Sequence, residues 1–413
     1  METYASRSAR VMQQITSLGE ISNEGRILTR LFGTKAHAQV NQRVLLWMNE
    51  LGLETRIDNI GNVRGRLKGK EGSNSVFVMG SHLDSVRNAG KFDGVLGVLL
   101  ALDLVGSIQH QGIELPFDIE VVGFSDEEGV RFNIAYMGSS VLAGNFQDAW
   151  LDKQGIYGKS LSSVLEEMGG EIGLLPSDAI PQHEWLGFLE IHTEQGPILF
   201  QQNLPVGIVE SIAGQTRINL YINGTRGHAG TTPMGMRRDA LATAAEFIHL
   251  VENYAMENKD VMVATVGAIH SYPNIANVIP SKVKCSLDIR SRFDDTMDAA
   301  TAHLERSFYE ILQKRGIKGQ WELTQRNPSV ICDEGLRKHL KHALEKSGLE
   351  GLEAMHGGAG HDAVAIAKVA PVAMLFVQCK NGISHHPEEY VTKENIEAAM
   401  RVCDLFLEEL VGN

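Results

Sequence analysis

Four apolar stretches of strand length run into polar clusters at their C-terminal ends: residues 75–82 (SVFVMGSH), 117–128 (FDIEVVGFSDEE), 187–192 (GFLEIH) and 372–385 (VAMLFVQCKNGISH). Such short apolar runs, bounded by polar punctuation, predict buried strands. Residues 94–107 (GVLGVLLALDLVGS) are apolar on nearly every side, which predicts a helix packed under a sheet. Helical spacing over 36–51 stops at Gly52, and a pair of strands over 54–62 and 63–67 follows. The stretch 151–185 reads as amphipathic helix and loop, with a helix at 161–168. Further helices are expected over 334–347, 362–368 and 393–410, with a glycine-rich loop at 357–360 between the first two.

From Gln215 to Thr324 the pattern changes. Strand 216–224, helix 239–253, strand 262–270, strand 282–291, helix 296–315 and strand 319–324 follow in turn. That β-α-β-β-α-β order is the ferredoxin-like pattern, a small sheet with two helices on one face. The chain is therefore expected to be α/β. A larger domain over 1–212 and 328–413 would hold a mixed, mostly parallel sheet flanked by helices, with an inserted ferredoxin-like α+β domain over 213–327.

A length of 413 residues exceeds one ordinary core, in keeping with two domains. The net charge of −13 argues against nucleic acid or an anionic membrane surface as partner. The opening METYASRSAR has no apolar segment of a secretory signal, and the apolar run 95–105, interrupted by Asp103, is too short to span a bilayer. Four scattered cysteines without a CxxC pair suit reduced thiols, so a cytoplasmic setting is expected.

The strand ends carry the candidate chemistry. With Asp93 they offer His82, Glu128, His192 and His385, three imidazoles and two carboxylates, a donor set for one or two borderline divalent ions such as zinc or manganese. In open α/β sheets such groups gather outside the carboxyl ends of the strands. Asp84, two residues after His82, is placed to orient that imidazole. Glu127 and Glu128 are consecutive acids at a buried strand end, costly unless cations or a shared proton relieve them. One binding metal while the other moves protons accounts for the pair. His386 stands beside His385 as the alternative ligand.

The segments GSHLDSVRNAGKFDG, SDEEGVRF, LEIHTEQG, GHAGTTPMGMRRD, NVIP with LDIR, GGAGHD and NGISHHPEEY resemble the M20-type metallo-amidohydrolases. Within them the resemblance is to the allantoate amidohydrolase, N-carbamoyl-L-amino-acid hydrolase and β-ureidopropionase branch. It implies a metallopeptidase-like catalytic domain with two metal ions (zinc or manganese, with cobalt and nickel as further candidates) bridged by Asp93. His82 and His192 would complete one site, Glu128 and His385 the other, with Glu127 as general base and Asp84 behind His82. It also implies a homodimer paired through the inserted domain, which acts as a lid and sends His228 to the partner's site. Asn277 and Arg290 would bind a substrate carboxylate, and Gln195, Gly358, Ala359 and Gly360 would line the same pocket. The implied reaction is hydrolysis of an N-carbamoyl-L-amino acid, with allantoate, ureidoglycolate or β-ureidopropionate as alternative substrates. An aminoacylase or dipeptidase of the same superfamily is the weaker reading.

Overall fold

The computed structural model describes residues 2–25, 27–71 and 73–412. It divides into two compact units. One comprises Met1–Glu210, Ile331–Gly357 and His361–Asn413, the other Ser211–Val330 with Gly358–Gly360.

The larger unit is built on a nine-stranded mixed sheet. From one side its order is Glu54–Ile57, Val63–Leu67, Asp118–Phe124, Val76–His82, Trp185–Thr193, Val372–Val377, Val206–Ile212 and the two-residue Val330–Ile331, with Leu352–Gly357 also paired to Val206–Ile212. The four inner strands, from Asp118–Phe124 to Val372–Val377, run parallel to one another, while Glu54–Ile57, Val63–Leu67 and Val206–Ile212 pair antiparallel with their neighbours. Parallel central strands bring their C-terminal ends to one edge of the sheet.

The apolar run predicted as a helix forms Val95–Gln111, with twelve buried residues. Its N-cap is Gly94 at φ +66°, and a Cβ there would lie 2.6 Å from the His82 ring, so glycine alone leaves room for the imidazole. Gly112 closes the helix in the left-handed conformation. Asp333 caps the helix Glu334–Ser347 by accepting from Leu336 N, and Gly348 ends it.

The fourth expected strand is shorter than its apolar run suggested. It stops at Val377, where its ladder with Trp185–Thr193 runs out, and Asn381 and Gly382, both at positive φ, then turn the chain. His385 therefore lies eight residues beyond the strand, in a loop. Among strands longer than two residues, Val206–Ile212 and Leu352–Gly357 went unpredicted.

The smaller unit has an antiparallel sheet ordered Ile269–Tyr272, Lys282–Ser291, Gly214–Asn223, Lys318–Asn327, with Met262–Thr265 also on Lys282–Ser291. Helices Ala240–Glu257 and Asp294–Arg315 cover it through a core that includes Leu220, Phe247, Leu287, Leu304 and Phe308. This is the ferredoxin-like order expected, with the second strand broken in two. Among the described residues no helix is long and apolar enough to cross a membrane, and the four cysteines are buried and free.

Candidate metal centre

At the C-terminal edge of the parallel strands, His82 is the last residue of its strand and His192 the penultimate residue of its neighbour. Both rings are 2 % exposed. His82 Nδ1 lies 3.1 Å from the carbonyl of Asp84, and His192 Nδ1 lies 3.0 Å from the carbonyl of Thr193. A carbonyl can only accept, so both rings carry their proton on Nδ1 and turn a free Nε2 lone pair inward. The two Nε2 atoms are 3.4 Å apart, and they stand 3.8 Å and 3.4 Å from Asp93 Oδ1.

Those three edges match a tetrahedral metal site, in which ligands bonded at about 2.0–2.2 Å lie about 3.4 Å from one another. On the other side of Asp93, His385 Nε2 is 3.1 Å from Asp93 Oδ2 and 3.4 Å from Glu128 Oε1. Asp93 thus faces two groups with different oxygens: His82 and His192 with one, Glu128 and His385 with the other. It does not cap the following helix, whose first turn has no side-chain cap. His386 turns back into its own loop, where its Nδ1 accepts from Glu388 N.

The charge balance also fits cations. Asp84, Asp93, Asp126, Glu127, Glu128, Glu190 and Asp362 are all buried or nearly so. Arginine charges acting on them include Arg30, on Asp84 and Asp93, and Arg131, on Asp126. Burying so many acids is expensive unless divalent ions or bound protons neutralise them. Burial, then Glu128, Asp362, Asp84 and Glu190, push the Glu127 carboxyl well above the usual carboxylate range. Burial acts on Asp93 in the same direction, but the His385 hydrogen bond and the neighbouring imidazoles outweigh it and hold Asp93 low. The hydrogen bond to Asp93, then Glu128, raise His385 to about 9.

Asp84 differs from expectation. Its carbonyl, not its carboxylate, is the group nearest the His82 ring, because the turn after the strand folds the peptide back under Nδ1. The carboxylate oxygens instead accept from the N–H groups of Glu127 (3.1 Å) and Glu128 (3.2 Å), fixing the turn that carries both acids. Oδ1 is 3.8 Å from His82 Nδ1. Gln195, at φ +55°, donates to Asp93 Oδ1 at 2.9 Å. His385 is also in the left-handed region, at φ +52°. Non-glycine residues held there cost about 1–3 kcal/mol each and tend to mark functional sites.

Several groups here escaped the sequence reading. Glu190, buried mid-strand, accepts from Ser81 Oγ and Ala363 N. The His361 ring stands 4.5 Å from that of His192, and Asp362 is wholly buried. An acid inside an apolar strand (FLEIH) was the available signal for Glu190. The GGAGHD segment held the other two, and its glycines drew attention from them.

The remaining expected residues belong to the smaller unit. His228, in the short strand Gly227–His228, is exposed and accepts at Nδ1 from Gly230 N. Its strand partner is Val278, and the carbonyl of Asn277, just before, accepts from Ala229 N at 3.0 Å. Arg290 donates to Asp288 Oδ1 and to the carbonyl of Gly358, both at 2.9 Å. Its fork is therefore partly engaged already. Ala359 and Gly360 are half-exposed beside Gly358.

The chain matches peptidase family M20/M25/M40 over residues 78–409. It is 36% identical to allantoate deiminase of Arabidopsis thaliana over 430 residues, covering 96% of this chain and 81% of that relative. To N-carbamoyl-L-amino acid amidohydrolase of Geobacillus stearothermophilus it is 35% identical over 394 residues, covering 95% and 96% of the two chains. The crystal structure of a hydantoinase/carbamoylase family amidase from Burkholderia multivorans superimposes with a TM-score of 0.87 at 32% identity, over 98% of each chain. With both the family match and the full-length relatives spanning the ligand-bearing strands, this chain belongs to peptidase family M20/M25/M40.

Proposed function

We propose that this member of the family hydrolyses the ureido C–N bond of N-carbamoyl-L-amino acids, releasing ammonia, carbon dioxide and the L-amino acid. One observation supports the reading: of the four groups of potential metal ligands among the described residues, two share Asp93, and the Glu127 carboxyl lies beside them, within reach of His82 and Glu128. His82, Asp93 and His192 would hold one divalent ion, and Asp93, Glu128 and His385 the other, with zinc and manganese the first candidates and cobalt and nickel next. Such a pair supplies Lewis acidity, polarising a carbonyl and acidifying a water.

Glu127 accepts the proton of the attacking water at its carboxylate and delivers it to the departing nitrogen, a shuttle worth about 10²–10⁴-fold. Asp84 keeps that carboxylate aimed by holding its backbone N–H. On the smaller unit, Arg290 and Asn277 take the substrate carboxylate, the planar arginine fork suiting that partner. Gln195, Gly358, Ala359 and Gly360 line the substrate. His228 donates to the developing oxyanion of a partner subunit in a homodimer joined through the smaller unit, which closes as a lid. Four buried free cysteines suit a reducing, cytoplasmic setting.

Allantoate is the second reading, favoured by the Arabidopsis thaliana relative. Ammonia release is to be measured from a panel of N-carbamoyl-L-amino acids and from allantoate, using protein stripped of metal and reloaded with each ion. Release from allantoate alone moves the assignment, and release from neither ends it.

A further inference from the structure

We propose that Glu389 is a positioning residue that clasps the Asp93 loop to the His385 loop and so sets the spacing of the second group of ligands. The inference rests on the metal-centre part of the reading above and not on the identity of the substrate. Glu389 lies in the segment HPEEY and is 4 % exposed. Its Oε2 accepts from the N–H groups of Phe92 (2.9 Å) and Asp93 (3.1 Å), and its Oε1 accepts from the Ser384 hydroxyl at 2.8 Å. One carboxylate thus joins the residue that faces both ligand groups to the immediate neighbour of His385, across nearly 300 positions of sequence.

The seat for Glu389 is specific. A Cβ at Gly90 would lie 2.1 Å from Glu389 Oε2, so the loop preceding Asp93 has room for the carboxylate only because that position is glycine. The contacts also close a ring. Ser384 Oγ accepts from Gln195 Nε2 at 3.2 Å, and the same amide nitrogen, through its other hydrogen, donates to Asp93 Oδ1 at 2.9 Å. Asp93 is therefore held at its backbone N–H by Glu389 and at its side chain by Gln195, both tied to Ser384.

Such a device is needed at this corner of the centre and not at the other. His82 and His192 lie within parallel strands whose ladders fix them. His385 has no ladder: it follows the strand end by eight residues, has φ +52°, and its side chain is 47 % exposed. Glu389 does for His385 what the sheet does for the two buried imidazoles. A carboxylate suits the task because it only accepts, and three donors converge on it.

Substitutions in this ring are unequal. Glu389→Gln can keep its carbonyl on Phe92 N and Asp93 N while its amide donates to Ser384 Oγ, whose hydroxyl rotates to accept. Glu389→Ala strands all three donors, and Ser384→Ala cuts only the link to the His385 loop. The test uses the full chain stripped by chelator and titrated with zinc or manganese against a competing chromogenic chelator, with the bound ions counted by elemental analysis.

Loss of an outer partner of a metal ligand typically weakens affinity about 10–100-fold, so Glu389→Ala is expected to fall in that range and to lose its second ion at limiting metal. By the same principle Glu389→Gln should stay within about threefold of wild type and Ser384→Ala should fall between the two. At saturating metal Glu389→Ala should lower kcat and leave KM near wild type. Should Glu389→Ala fail to fold, Ser384→Ala and Glu389→Gln decide. Wild-type affinity in Ser384→Ala or in Glu389→Ala overturns the proposal. So does a Glu389→Gln loss as large as that expected for alanine, since charge rather than acceptor geometry would then be at work. A wild-type chain that takes up two ions but hydrolyses no ureido compound sinks the proposed reaction and leaves the clasp to be judged by these affinities.

Discussion

In the larger unit, the polar side chains at the C-terminal edge of the sheet are held from behind. Asp84 grips the N–H groups of Glu127 and Glu128, Glu194 those of Ile198 and Leu199, and Glu389 those of Phe92 and Asp93. In the smaller unit, His228 and Asn277 are exposed and sit at a two-residue ladder, with one hydrogen bond from Gly230 steadying the imidazole. The contrast fits the roles proposed for the two sets. Under those roles, ligands of an ion need their separations fixed by hydrogen bonds from behind. Substitutions in the two units should therefore fail in different ways, the first through metal or turnover and the second through substrate affinity.

The largest effect is expected at Glu127, the proposed proton shuttle. Glu127→Gln should lower turnover by about 10²–10⁴-fold with the metal count unchanged; ordinary turnover in that variant would remove the proton shuttle from this residue. Next, Asp84→Ala frees the turn bearing Glu127 and Glu128, and metal affinity should drop about 10–100-fold, read by chelator competition without substrate. An unchanged affinity would mean that the turn holds itself. Across the comparison, Arg290→Ala removes charged hydrogen bonds worth about 1.5–3 kcal/mol and should raise KM for carboxylate-bearing substrates about 10–100-fold. Its metal count should match wild type. If that variant lost metal, the two units would not differ as argued.

Much of this frame was legible in the chain, for reasons tied to particular elements. Residues 94–107 were readable as a buried helix because they are apolar all round. Helix Glu334–Ser347 was readable because its run is punctuated by Asp333 and Gly348. The alternation in KVKCSLDIRS is that of a strand with one buried face. Strand Leu352–Gly357 was not readable: LEAMHG is no strand former by composition, and its extended state comes from pairing with Val206–Ile212. The candidate ligands could be picked out because chemistry-bearing side chains at strand ends are conspicuous. Glu190, Asp362 and Glu389 stayed hidden because their partners lie far along the chain, and periodicity records which face a residue occupies but not what it meets there.

The smallest effect asks how unyielding the larger unit is away from its ligands. His37 is wholly buried beside Phe32, and neither of its ring nitrogens has a hydrogen-bond partner. Burial, with the Arg30 charge adding to it, lowers its pKa to about 3. Above pH 6.5 the imidazole is neutral both folded and unfolded, and the residue adds no pH dependence. As the pH falls below 6.5, the unfolded chain binds a proton that the folded chain refuses, so stability is lost down to about pH 3. By pH 5.5 the loss attributable to this group is about 1.4 kcal/mol, growing by about 1.4 kcal/mol for each further unit. Paired urea titrations of wild type and His37→Phe at pH 7.5 and 5.5 isolate the term, because the other groups cancel in the difference. The wild type should lose more stability than the variant over that interval. Equal losses would mean that the pocket opens and lets the imidazole charge, and that the larger unit is less rigid around Arg30 and His37 than around its ligands.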